Sequence, residues 1–311
     1  IYWTSKIHYT KADKRTIMET DKAYITSKGF ISISGEDSTE FIQNIISNDI
    51  KKVTDNNCIF TSLLTPQGKF LFEFIIFKKK NIFFIECNNE LIKELFDKLH
   101  NYKLRSKVEI KIENNLISVD IPFEKFISLN VNKFNLINYK NYVIFEDPRI
   151  KKTLARAIVE QSKIKEFLND LHIKLSNEKN LLEKKLFNLG IPCKDIQKLQ
   201  NQLFALEANF LELNGIDQKK GCYIGQENTA RMYLKNKVNK RLFALQIING
   251  KVKEGQKITL NNEEIGKILI DDLFPFALIK INNENKNLII DKVLKTETAS
   301  IKINIPNWMN M

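Results

Sequence analysis

The chain changes texture at Lys240, and that change narrows the fold more than any other feature. Upstream, alternating strands are interleaved with amphipathic helices; downstream there are only short strands at regular intervals. Residues 30–34 alternate like a half-buried strand. Asp37-Ser38-Thr39-Glu40 then has the form of a helix N-cap with a Glu reaching back three residues later. The predicted helix 38–47 puts Phe41, Ile42, Ile45 and Ile46 on one face. Strands follow at 58–64, 69–77 and 81–87, the first two joined by the turn Thr65-Pro66-Gln67-Gly68. A helix at 89–100 carries the stripe Leu91, Leu95, Phe96 and Leu99, and a strand at 107–112 closes the unit. This β-α-β-β-β-α-β order predicts an antiparallel sheet with helices on one face.

Residues 113–200 mix short strands, at 142–145 and 154–160 around Asp147-Pro148-Arg149, with helices near 162–172 and 176–188. The second helix is stopped by Gly190-Ile191-Pro192, and 195–213 read as helical or irregular. After Lys240, strands are expected near 242–248, 257–260, 264–270, 277–281, 288–290 and 300–305. Turns fall at Gly255, Asn261-Asn262 and Asn282-Asn283, as in a small β-barrel or sandwich. With 311 residues, two or three domains are expected. The fold class is α+β, divided into an unstructured or non-native leader (1–23), an α+β domain of ferredoxin-like pattern (24–112), a second α+β domain (113–240) and a C-terminal β-barrel (241–311). Residues 1–17 are polar and basic and lack the apolar core of a secretory signal. They read either as sequence upstream of a start at Met18 or as an organelle-targeting leader.

The net charge of +12 invites a nucleic-acid reading, but only six of the 49 basic residues are arginine and the lysines are spread over every segment. That is a chain-wide bias rather than a patch, so direct nucleic-acid contact is not expected, and a basic RNA-binding module ranks last among the readings. The bias makes the few arginines informative, because Arg persists where a planar bidentate donor matters. Cys58, Cys87, Cys193 and Cys222 form no Cys-x-x-Cys pair, and there are three histidines. Neither a disulfide framework nor a metal site is expected, and a reducing compartment fits best. No run approaches the roughly 18 apolar residues of a membrane helix.

Hard-to-replace residue types crowd together between Lys219 and Arg231. Gly221 and Gly225 bracket Cys222 in a chain holding ten glycines, which suggests a tight, presented loop. Lys219 and Lys220 precede the thiol, and a nearby cation favours the thiolate. A helical turn from Gln226 would set Glu227 and Arg231 four apart on one face. A lone cysteine is as readily an inert packed residue, and spacing alone leaves both readings open.

Lys220-Gly221-Cys222-Tyr223-Ile224-Gly225-Gln226-Glu227, followed by Thr229-Ala230-Arg231, resembles the signature of the YgfZ family. These are folate-binding proteins of iron–sulfur cluster maturation, related in fold to the T-protein of the glycine cleavage system. Supporting stretches run from about residue 24 onwards. They include Leu64-Thr65-Pro66-Gln67-Gly68-Lys69, Tyr102-Lys103-Leu104-Arg105-Ser106-Lys107-Val108, Asp147-Pro148-Arg149 with Arg156, and Leu206-Glu207-Ala208-Asn209. The chain departs from the family at Ala205, where proline is usual, and at Leu211, where Asp is common.

The resemblance implies a T-protein-like three-domain ring, two α+β domains plus a C-terminal β-barrel, with tetrahydrofolate or its polyglutamylated form bound around a central hole that the Cys loop faces. It implies a monomeric accessory protein for assembly or repair of [4Fe–4S] enzymes, including radical-SAM methylthiolases that modify tRNA, and no settled reaction of its own. The setting would be cytoplasmic, or the mitochondrial matrix or another organelle if residues 1–17 are a leader. Cys222 is expected to be the active group, ligating a transient [4Fe–4S] cluster or reacting with a folate-borne carbon. Lys220 would lower the thiol pKa or meet an anion. Gln226 and Glu227 would bond a pterin edge or cap the loop, Glu207 would bind pterin or cap a turn, and Arg231 would hold the loop through Glu227 or meet a folate carboxylate. Tyr223 is expected to pack at the site. Arg105, Arg149 and Arg156 are expected in structural pairs, Arg149 with Asp147. A folate-dependent aminomethyltransferase, a one-carbon transferase like the T-protein, is the second reading, separable by ammonia release from an aminomethyl donor.

Overall fold

The computed structural model describes residues 21–178, 180–235, 237–281, 289–290 and 292–309. Most of the expected leader and the expected turn at Asn282-Asn283 lie outside the described residues. The first strand, β1 (Lys22–Ile25), joins a sheet built later in the chain. β2 (Lys28–Ser34) leads through Gly35, at φ +117°, into α1 (Ser38–Ile45), which buries Phe41, Ile42 and Ile45. β3 (Ile59–Leu64), β4 (Phe70–Lys79), β5 (Ile82–Asn88), α2 (Ile92–Lys103) and β6 (Glu109–Ile112) complete the first unit. Its five strands are antiparallel, in the order β3-β4-β5-β2-β6. The predicted order of elements is the observed one. The capping box is not: the Asp37 side chain caps no amide of α1, because its Oδ2 accepts from Lys107 N at 2.7 Å and ties the helix entrance to the approach of β6.

β7 (Leu116–Ile121), α3 (Phe123–Leu129), β8 (Leu136–Tyr139), β9 (Tyr142–Glu146), β10 (Ala155–Glu160), α4 (Ile164–Leu171) and β11 (Lys174–Leu175) form the second unit. With β1 they make a six-stranded sheet ordered β11-β1-β7-β10-β9-β8, parallel only between β11 and β1. β7, β8 and α3 are additions to the predicted elements; segments this short carry too little periodicity to be read. α5 (Leu181–Asn188) starts later than expected because Ser176 N is drawn to Ala23 O at 2.9 Å and Asn180 stands at φ +60°, and it stops at Gly190, φ +71°.

A long irregular segment leads to α6 (Gln226–Leu234) and then to β12 (Lys240–Gly250), β13 (Lys257–Leu260), β14 (Glu263–Ile270), β15 (Phe276–Lys280), β16 (Leu294–Lys295) and β17 (Ala299–Asn304). These six strands close a barrel filled by Phe243, Leu245, Ile258, Ile268, Ile279 and Ile301. The strand expected at 288–290 is a correction: Ile289 lies in a helical turn, the barrel strand is β16, and Leu288 is outside the described residues. The architecture is three-domain α+β with a C-terminal barrel.

Two long-range features place the Cys loop. First, residues 201–217 return to the first sheet. Asn201 N donates to Phe70 O and Phe70 N to Leu203 O, both at 2.9 Å, and Asp217 N donates to Ser47 O at 3.1 Å. Phe210 lies edge-on to Phe60 and Phe70, ring centroids 5.3 and 5.7 Å apart. The loop, late in sequence, is thus carried by the first sheet and α1.

Second, the two sheets meet across buried charge. Arg149 Nε and Nη2 donate to Asp147 Oδ1 and Oδ2 at 3.0 and 2.8 Å, the expected pair. Arg156 of β10 donates to Glu86 of β5 at 2.6 Å and also to Asp147. Ser118 Oγ of β7 donates to the second oxygen of Glu86 at 2.5 Å. Arg149 Nη1 is 3.7 Å from Glu73 Oε1 on β4, an ion pair too long for a hydrogen bond. Burial pushes the Asp147 carboxyl up, but Arg149 and Arg156 overcome it and hold it well below the usual range. At Glu73 burial wins and the carboxyl is raised. Arg105, expected to be paired, is exposed and joins no ion pair among the described residues.

Candidate functional site: the cysteine loop

Burial pushes the Cys87 and Cys193 thiols up to about 12 and Cys58 higher still. Cys222 is the exposed thiol of the four. The thiolate is the nucleophile and the metal ligand, so the three raised thiols are disarmed and Cys222 is the one fit to react.

Backbone packing holds the loop that carries it. Gly225 stands at φ +83°, and a Cβ there would lie 2.5 Å from Thr65 O and 3.0 Å from the Cα of Gly68. Gly68, at φ +79°, would in turn press on Gly225 O. The hairpin turn Thr65-Pro66-Gln67-Gly68 and the loop therefore meet glycine to glycine, with Asn228 Nδ2 donating to Gln67 O at 2.9 Å. Gly225→Ala is expected to lower stability by about 1–2 kcal/mol for the left-handed backbone alone, and further through the clash with Thr65 O. A thermal midpoint unchanged from wild type would contradict this. Gly221 is different, since it is not among the positive-φ glycines and has no heavy atom within 4 Å of a Cβ position. The tight turn belongs to Gly225.

Lys220 does not face the thiol's surroundings as an open cation. It is buried, and its Nζ donates to Gln43 O, Ile46 O and Asn48 O at 2.7, 2.6 and 3.0 Å. These carbonyls lie in the last turn of α1 and just beyond it, where a helix leaves acceptors unpaired and favours a cation. The ammonium also stands 4.9 Å from the centre of the Tyr223 ring. Burial pushes Lys220 down to about 8, against the pull of Asp49 and Asp217. Ile224 N adds a 3.3 Å bond to Asn44 O. Lys220 is thus the pin that fastens the loop to α1.

Beside the loop lies a pocket of about 270 Å³. Gln226, Thr229, Ala230 and Tyr233 line it at helical spacing along α6, opposite Leu206, Ile216 and Tyr223, with Asp217 and Lys219 among its polar groups. Burial pushes the Tyr223 phenol up to about 12, and its hydroxyl shares a hydrogen bond with Thr229. The other expected site residues lie elsewhere. Glu207 is buried and accepts from Phe204 N at 2.9 Å, capping a turn, with burial raising its carboxyl. Glu227 and Arg231 are exposed on another face of α6, and no ion pair joins them among the described residues. The structure therefore gathers Tyr223 and Gln226 at the pocket, gives Lys220 and Glu207 to backbone groups, and leaves Glu227 and Arg231 in solvent. Among the described residues no group of three or more His, Cys, Asp or Glu side chains is placed to hold a metal.

Ser47 and Asn48 are functional supports that the sequence reading did not single out. Ser47 Oγ donates to Gly215 O at 2.7 Å, and Asn48 Nδ2 donates to Phe60 O and Asn214 O, both at 2.8 Å. They clamp the approach to the Cys loop. The available signal was Ser-Asn-Asp directly after an apolar helix, residue types that pair with backbone at helix ends.

No family model matches the chain. The chain is 30% identical over 235 residues to the iron–sulfur cluster assembly factor IBA57 homolog, mitochondrial, of Neurospora crassa, covering 70% of this chain and 52% of that relative. It is 29% identical over 235 residues to the tRNA-modifying protein YgfZ of Hamiltonella defensa, covering 72% and 68%. A Dictyostelium discoideum IBA57 homolog is 24% identical over 273 residues, with 65% of its length covered. The chain thus spans between half and two thirds of the length of several relatives it matches. In architecture it is similar to glycine cleavage system aminomethyltransferase T from Bartonella henselae, TM-score 0.69 at 10% identity, covering 95% of this chain and 89% of that one. No helix among the described residues is long and apolar enough to cross a membrane. The signature around Cys222, the named relatives and the three-domain architecture together make this chain YgfZ-like in sequence and T-protein-like in fold.

Proposed function

We propose that the chain is a tetrahydrofolate-binding accessory protein for assembly or repair of [4Fe–4S] enzymes, with Cys222 as its active group. The observation that carries this reading is an exposed thiol on a loop pinned by a buried lysine, beside a pocket with aromatic and amide walls. The relatives' names, a cluster assembly factor and a tRNA-modifying protein, support it.

The pocket residues fit a flat heterocycle with a polar edge. Tyr223 and Tyr233, with Leu206 and Ile216, offer apolar walls, and Gln226 offers an amide that both donates and accepts. Lys219, in the same lining, suits the carboxylates of a glutamate or polyglutamate tail. When bound, tetrahydrofolate supplies a carrier for a one-carbon unit. The residues of this chain that would hold it are Tyr223 against the ring, Gln226 at its polar edge and Lys219 at the carboxylates. The cluster is substrate. Cys222 loses its proton to solvent and offers Sγ to an iron of a client enzyme such as a radical-SAM methylthiolase. The protein works as a monomer in the cytoplasm or mitochondrial matrix.

Anaerobic calorimetric titration with tetrahydrofolate tests the folate half. Saturable one-site binding is expected, weakened about tenfold in Gln226→Ala through the loss of about 1.4 kcal/mol of polar contacts. No binding at millimolar ligand would remove the folate reading. Cys222→Ala should bind folate like wild type and fail to support cluster-dependent enzymes in cells depleted of their own YgfZ-type protein. The aminomethyltransferase reading stands second, favoured by Glu73, a buried, raised carboxyl that accepts no hydrogen bond among the described residues. Ammonia released from an aminomethyl donor would establish it.

A further inference from the structure

We infer that the seam between the first and second sheets holds a small-molecule site, separate from the Cys loop, for an organic anion: an aromatic body carrying a carboxylate or a phosphate. Two cross-strand pairs build its walls. Phe77 of β4 stands opposite Phe84 of β5, their rings stacked at 5.3 Å and 8°, and Val143 of β9 stands opposite Ile158 of β10. Between these pairs, with Leu116 and Tyr142, lies a pocket of about 220 Å³. A cavity of about 150 Å³ takes benzene, so there is room for one ring and its substituent. Small-molecule pockets favour such junctions, with apolar walls and a few polar groups. β4 runs from Phe70 to Lys79, and at about 3.3 Å per residue its ends lie about 30 Å apart. The Cys loop packs on the turn before the first residue of β4, and this pocket lies at the last.

Lys79 decides the charge of the occupant. Side chains two apart on a strand share a face, so Lys79 rises beside Phe77 at the pocket rim. Its Nζ donates to Asn141 O at 2.7 Å, one of the three bonds an ammonium can make, and no carboxylate pairs with it among the described residues. Burial holds the ammonium below its ordinary range. The charges acting on it are two lysines, Lys80 and Lys163, against Glu160 alone, and Glu160 is already joined to Lys163 at 3.1 Å. Glu113, the other carboxylate of the lining, accepts from Ser32 Oγ at 2.5 Å. The pocket thus sets an aromatic wall beside an uncompensated, partly desolvated cation, and an entering anion supplies the missing partner. The side-chain amides of Asn115 and Asn141 line the same space and can donate to its remaining oxygens.

The test titrates the full chain with benzoate, phenyl phosphate and the neutral benzamide, followed by amide chemical shifts. Benzoate or phenyl phosphate should shift the amides of Lys79, Phe84, Asn141 and Tyr142 saturably, with a dissociation constant of about 1 mM for ligands of this size. Benzamide should bind about tenfold more weakly. Lys79→Gln, which keeps a donor for Asn141 O, should weaken the anions about tenfold, the loss of one charge-assisted bond, and leave benzamide unchanged. Lys163→Gln, at the more exposed side of the rim, should weaken the anions by less. A stronger response to phenyl phosphate or to benzoate, lost in Lys79→Gln, supports the site and names its anionic group. Benzamide binding as tightly as benzoate, equal anion affinity in Lys79→Gln and wild type, shifts confined to the Cys loop, or no saturation well above that constant would each overturn the inference. Should Lys79→Gln fail to fold, unchanged anion affinity in Lys163→Gln would overturn it equally.

Discussion

Arg156→Met is expected to lower stability by about 3–5 kcal/mol, the usual effect of removing one side of a buried ion pair. Arg156 holds Glu86 of the first sheet and Asp147 of the second unit, and all three side chains are nearly sealed from solvent. Methionine restores most of the volume but leaves two carboxylates short of a donor. Arg156→Lys should recover only part of the loss, since an ammonium cannot fork between two carboxylates as a guanidinium does. Midpoints of urea unfolding measure all three proteins, and a shift worth less than about 1 kcal/mol for Arg156→Met would mean the network behaves like a surface pair. The acid limb carries a second signature. Asp147 is held below its ordinary value in the folded state. Its contribution is therefore complete above the unfolded value of about 3.9 and is lost as the pH falls below it toward the folded value. Removing Arg156 takes away one of the two cations that lower Asp147, so the variant should lose less stability than wild type on acidification. Glu73 has the opposite sign: raised by burial, it favours folding below about 4.3 and loses that contribution as the pH rises.

Lys220→Met should release the Cys loop without touching the thiol. Three carbonyls lose their donor at once, and a buried acceptor left unpaired costs about 1–3 kcal/mol. A local loss of about 3 kcal/mol or more is expected, read as faster hydrogen exchange at the Ile224 amide, which bonds Asn44 O. Cluster-dependent activity should fall with it. Unchanged exchange at Ile224 would show that Gly225 and Tyr223 suffice to hold the loop. The pH dependence follows from the depressed lysine. Burial holds Lys220 near 8 in the docked loop, against about 10.4 in solvent. The penalty for burying the charge is fully present below pH 8 and is relieved as the pH rises from 8 to about 10.4, so docking tightens across that window. The methionine variant should show no such rise.

Periodicity and turn chemistry were enough to read the β-α-β-β-β-α-β order of the first unit and most strands of the barrel, because each depends on a few neighbouring residues choosing a face. The Cys222 loop was legible for the same reason: two glycines, a thiol and a following helix lie within a dozen residues. The local pairing of Asp147 with Arg149 needed only two residues' separation. By contrast, nothing local assigns β1 to the second sheet, because four residues of strand pair with whichever edge the folded chain brings to them. The cap expected of Asp37 was lost to the Lys107 amide, 70 residues away. Arg156 found Glu86 at the same separation. Lys220, read as a cation for the thiol, turned instead to three carbonyls at the end of α1, 172 to 177 residues upstream. The sequence alone determined most of the strands and helices, the presented loop, and which residues could do chemistry. Only the tertiary structure decided where each charge and polar group points, because a buried polar atom must find a partner and that partner is supplied by whatever segment folding packs against it.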